Sequence, residues 1–135
     1  MNYEFENEQR HDAARAFRKF ARLGLNDVTA NPAQAYKRID VLCHARRTKL
    51  DMLAVYDTLR LLALAGDDDT LAAIWEIYFS STDYRFSKSE NARHVRKCAQ
   101  NNYCDERTVY RRLVKARSLY TRLREKEGLL WEDEK

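Results

Sequence analysis

The stretch "YCDERTVYRRLVKARSLY" (residues 103–120) decides the fold class. In it Val109, Leu113, Ala116 and Tyr120, followed by Leu123, recur at i, i+4, i+7, i+11 and i+14, so a helix collects them on one face. Arg107, Thr108, Arg111, Arg112 and Lys115 fall largely on the remaining arc. The spacing predicts one long helix from a cap at Asp105 to about Glu127, its apolar stripe packed inward and its basic arc turned out. The composition extends this reading to the whole chain. With three Gly and one Pro in 135 residues, and Ala, Leu, Arg, Lys and Glu abundant, the sequence predicts an all-α protein rather than a turn-rich β architecture.

Working outward, the same periodicity predicts about six helices. The first runs from Tyr3 to Leu23 with Phe5, Ala13, Phe17, Phe20 and Ala21 on its apolar face, and Gly24 ends it. Asn31 then caps a helix that has Pro32 at its first position, where a missing N–H costs nothing. Tyr36, Ile39 and Cys43 share a face of that helix. Thr48 and Asp51 form a variant capping box at which the chain can break or restart, so residues 32–65 hold one helix or two. Leu50, Leu53, Tyr56, Leu59, Leu62 and Ala63 make the next stripe, closed by Gly66, and "DDDT" (67–70) opens a helix whose Leu71, Ile74, Trp75, Tyr78 and Phe79 are expected in the core. Beyond a polar segment, "SENARHVRKCAQNN" (89–102) reads as a short basic helix capped by Ser89. Three regions are expected: 1–66, a near-neutral helical part for interaction or dimerisation; 67–130, by its charge and helix pattern a helix-turn-helix DNA-binding region; and 131–135, an acidic tail.

Charge is distributed unevenly. Residues 1–80 carry eleven Lys/Arg and twelve Asp/Glu, whereas Arg85 to Lys126 carry thirteen against four, a local balance of +9. A merely soluble surface mixes signs, and this segment largely omits acids, which points to a polyanionic partner. A short helix, a tight turn and a helix with basic first turns form the sequence pattern of a helix-turn-helix, in which the second helix enters the DNA major groove. Arg107 and Arg111, one helical turn apart, can each fork onto guanine, with Thr108 and Arg112 beside them. Lys88, Arg93, Arg96, Lys97, Lys115 and Arg117 suit phosphates by type and position.

The segments "DDDTLAAIWEIYF" (67–79) and "KSENARHVRKCAQNNYCDERTVYRRLVKARSLYTRLREKEGLL" (88–130) resemble the ArpU/RinA-type late-gene transcriptional regulators of Gram-positive bacteriophages and prophages. That group carries a C-terminal helix-turn-helix similar to region 4 of sigma factors. Centred on "ERTVYR" (106–111), the resemblance implies Arg107, Thr108, Tyr110, Arg111 and Arg112 as DNA-reading positions and Val109, Leu113 and Ala116 as packing ones. It implies sequence-specific binding of double-stranded DNA and activation of late genes, with RNA polymerase as a partner. One departure is that the turn lacks the small residue and glycine common in such motifs and has Asn101 and Asn102 instead, a residue type that tolerates left-handed geometry. A small terminase subunit that marks packaging-site DNA is the main rival within DNA binding, and a helical protein-interaction module the rival outside it. Homodimers on paired half-sites are common for the motif.

Enzymatic chemistry has no foothold. The chain has no glycine-rich phosphate loop, no GxSxG and no HExxH, so neither an enzyme nor a cofactor is expected, and the acids at 67–69 suit a helix start. His94 and Cys98 are spaced i, i+4 and Cys104 follows, but a fourth zinc ligand would have to come from Cys43 or His44. The close CxxC pairs of structural sites are absent, so reduced thiols and no metal are expected. "GLLWEDEK" (128–135) reads either as a docking segment or, with Leu130 and Trp131, as a fold-back onto the core. No apolar run is long enough to span a membrane and no signal peptide pattern opens the chain, so a cytoplasmic protein of the bacterial host cell is expected.

Overall fold

The computed structural model describes the backbone of residues 3–27, 31–80 and 88–133 and the side chains of residues 12–26, 31–80 and 92–128. Every regular element among them is helical: α1 (Tyr3–Arg22), α2 (Pro32–Leu42), α3 (Arg46–Leu64), α4 (Asp68–Ile74, continued by a wide π-helical turn over Trp75–Phe79), α5 (Lys88–Asn101) and α6 (Glu106–Asp133). A single 3₁₀ turn over Leu25–Asp27 follows α1. Among the described residues no helix is long and apolar enough to cross a membrane. The side chains of Phe5, Lys88, Ser89, Leu130 and Trp131, and the segment 81–87, lie outside the described residues.

Most boundaries follow from local chemistry. Gly24 ends α1 at φ +74, a left-handed conformation costly for a side chain with a Cβ. Asn31 Oδ1 accepts from the Ala33 amide at 3.0 Å, capping α2 at Pro32. Residues 32–65 form two helices, and the break falls at Cys43–Ala45. The Thr48/Asp51 capping box is not made: α3 starts three residues earlier, its N-cap is Ala45, and no side chain caps it. Asp51 is instead engaged across the fold by Arg124 at 2.7 Å and Tyr120 at 3.4 Å. At the other end of α3, Gly66 at φ +71 donates to Ala63 O while Asp67 N donates to Leu62 O, a Schellman closure. Asp67 then caps α4, accepting from the Thr70 amide and hydroxyl.

α6 is the spine. Its Val109, Leu113, Ala116 and Tyr120 are buried, as the stripe predicts, with Leu123 half-buried behind them. It packs most extensively on α3, with α1, α4 and α5 completing its surroundings, so residues from both sides of Gly66 share one core. Aromatic contacts join those layers: Phe17 of α1 stacks on Tyr78 at 5.2 Å and meets Tyr120 at 5.7 Å, and Phe20 stacks on Phe79 at 6.0 Å. Helix α6 continues to Asp133, well past the expected end near Glu127. Gly128 does not stop it, since one glycine inside a long helix costs only about 1 kcal/mol relative to alanine.

Two core expectations are corrected. Trp75 is 47% exposed, because the π-helical turn widens the helix there and swings Ile77, Tyr78 and Phe79 together into the core. Its ring lies edge-on to Phe79 at the rim. Ala63 is exposed, while Met52, Ala54, Val55 and Thr58 are buried on α3; the Thr58 hydroxyl is satisfied by Ala54 O at 2.7 Å.

Candidate nucleic-acid interface

Helices α5 and α6 are joined by the four residues 102–105. The Asn102 amide N–H and side-chain Nδ2 both donate to Cys98 O, and Nδ2 also reaches Glu76 Oε1 at 3.3 Å, so the end of α5 is tied to α4. Tyr103 N donates to Gln100 O and Cys104 N to Ala99 O, which closes α5 as a Schellman motif. The left-handed position is taken by Tyr103 at φ 53, not by Asn101 or Asn102, because Asn102 is already committed to holding the helix end. Asp105 then caps α6 as expected, accepting from the Thr108 amide at 2.8 Å and hydroxyl at 2.7 Å. These two bonds, the hydroxyl's first, hold the Asp105 carboxyl below its ordinary value, helped by the nearby Arg107 and Arg111.

On α6, Arg107 and Arg111 sit opposite the buried stripe, exposed and with no ion pair among the described residues. One turn separates them, about 6 Å along the axis. Tyr110 is 41% exposed beside them. Thr108 is half-buried and its hydroxyl is spent on Asp105. Arg112 turns inward, half-buried, towards Asp69 at 3.7 Å and the Cys104 thiol at 3.7 Å. Of the six positions expected at phosphates, Arg93 and Lys97 are exposed on α5, and Lys88 opens that helix. Arg96 pairs with Glu106 at 3.5 Å, bracing α5 against the start of α6. Lys115 pairs with Asp67, and Arg117 donates to the Tyr78 hydroxyl at 3.2 Å.

The acids at 67–69 therefore do more than start a helix: Asp67 and Asp69 receive one flank of α6. Lys115 first, then Thr70, holds the Asp67 carboxyl below its ordinary value. The signal for this contact was an acidic triplet in a chain with a strongly basic helix, but no local rule pairs residues so far apart. Cys98 is buried and its thiol is pushed up to about 12 by burial and by Glu76, away from the thiolate form. Cys104 accepts from Arg112. Among the described residues no three His, Cys, Asp or Glu side chains gather as a metal site. Comparison with protein-family models, curated proteins and solved structures found no match.

Proposed function

We propose that this protein binds double-stranded DNA through α5 and α6 acting as a helix-turn-helix, and that it regulates late transcription in a phage or prophage. The observation that carries the reading is the pair Arg107 and Arg111, exposed on the outer face of the first turns of α6 while the opposite face is anchored in the core. Their spacing of about 6 Å along the helix is close to two base steps of about 3.4 Å each, and each guanidinium fork matches guanine O6 and N7. Tyr110 flanks them. Arg93 and Lys97, with Lys88 at the start of α5, serve the phosphates beside the groove. Arg112, Lys115 and Arg117 act in this reading by fixing α6 on α4, and Thr108 by donating to the Asp105 cap. The role is non-enzymatic and belongs in the bacterial cytosol, with RNA polymerase as the partner for activation and a homodimer as the form that engages paired half-sites.

A gel shift against tiled fragments of the genomic neighbourhood, at several salt concentrations, tests it. A competitor-resistant shift upstream of a late operon, lost in Arg111→Glu, is the expected result. A shift confined to a packaging-site fragment would assign the protein to DNA packaging as a small terminase subunit, and no retardation even at low salt would count against DNA binding altogether.

A further inference from the structure

Tyr103 occupies the most unusual backbone position in the described chain. At φ 53 it is the one non-glycine residue in the left-handed region among the described residues, and the residue is 98% exposed. A β-carbon makes that conformation unfavourable, and glycine or asparagine would serve the turn at lower cost. The turn itself is closed by main-chain bonds from Tyr103 N and Cys104 N, and by Asn102, so the phenol ring contributes nothing to holding it. A large aromatic side chain therefore stands in solvent at a strained position, two residues before the cap of α6.

We propose that Tyr103 is a DNA-backbone contact, its hydroxyl donating to a phosphate at the edge of the groove that α6 enters. This inference rests on the DNA-binding reading above. The geometry favours a phosphate over a base: Tyr103 precedes the helix and lies at the mouth of the groove, at most about 7 Å of chain from Asp105, whereas Arg107 and Arg111 project from the turns that go in. A phenol is a hydrogen-bond donor without charge, so it adds affinity and fixes orientation without releasing a counterion.

The test compares wild type, Tyr103→Gly, Tyr103→Phe and Arg111→Glu by fluorescence anisotropy on a mixed-sequence DNA duplex of a few helical turns, with thermal unfolding alongside. Tyr103→Gly and Tyr103→Phe are expected to weaken binding about ten-fold, with the salt dependence of wild type kept and the melting temperature of Tyr103→Gly no lower than wild type. Arg111→Glu is expected to weaken binding and flatten the salt dependence. Unchanged affinity in the Tyr103 variants while Arg111→Glu loses binding would overturn the inference alone, and would leave the ring to a protein partner. A fall in the melting temperature of Tyr103→Gly would also overturn it, by giving the side chain a role in the fold. Absence of binding by wild type would overturn the DNA-binding reading, and this inference with it.

Discussion

Arg111 and Arg112 are adjacent in the chain and have different work. Arg111 stands in solvent on the outer face of α6, while Arg112 is turned in towards Asp69 and Cys104. Arg111→Ala is therefore expected to leave the melting temperature within about 1 °C of wild type, since an exposed unpaired side chain contributes little to stability. Arg112→Ala should lower it, and a larger drop for Arg111→Ala in the same thermal scan would contradict these placements. Asp67 gives a pH-dependent counterpart. Its carboxyl is held below the ordinary value, so its contribution is fully present above that value, near pH 3.8, and is lost as pH falls through the lowered one. Asp67→Asn keeps a capping side chain and removes the charge facing Lys115. The gap in melting temperature between wild type and Asp67→Asn should hold steady from about pH 8 to about pH 5 and close in stronger acid. A gap that persists unchanged in acid would place the effect elsewhere.

Among the elements, α6 carries the fold and the proposed site on opposite faces. Leu113 is 2% exposed at the centre of its stripe, and Leu113→Ala should destabilise the protein by about 3 kcal/mol in denaturant unfolding. A loss under about 1 kcal/mol would mean that α6 is not packed as described. The stripe was legible in the sequence because helical periodicity is a local signal, and so were the ends at Asn31, Gly66, Asp67 and Asp105, where one side chain or one glycine decides the outcome. Trp75 was not legible, because its exposure depends on the π-helical turn and on which neighbours already fill the core. Nor was the break before Arg46, where an uncapped N-terminus leaves no residue signature and the Thr48/Asp51 pattern points to the wrong place. The turn at 102–105 was half legible: its position follows from the two asparagines, but the left-handed residue is Tyr103.

For the whole molecule, the basic balance of residues 85–126 is partly answered in space. Asp67 and Asp69 meet Lys115 and Arg112, and Asp51 meets Arg124, so those cations bind the helices to one another. Arg107, Arg111, Arg93 and Lys97 are exposed with no ion pair among the described residues, while Arg96 and Lys115 are exposed but paired, so the proposed interface rests on fewer cations than the charge count along the chain suggests. The partners of Arg112, Lys115 and Arg117 lie on other helices tens of residues away, where no local sequence rule reaches. Because α1 and α3 wall the stripe of α6, a fragment of residues 67–135 should lack cooperative thermal unfolding by circular dichroism. A sharp transition in that fragment would show that α4 to α6 suffice for a core.

The proposed contact of Arg107 and Arg111 with DNA can be read directly from binding thermodynamics. The most direct measurement is the dissociation constant for a mixed-sequence duplex across a salt series, for wild type and for the double variant Arg107→Glu with Arg111→Glu. Wild type should show a log–log slope that the double variant reduces by about two or more, with binding lost near physiological salt. Equal slopes and affinities in the two proteins, with both folded, would contradict the claim.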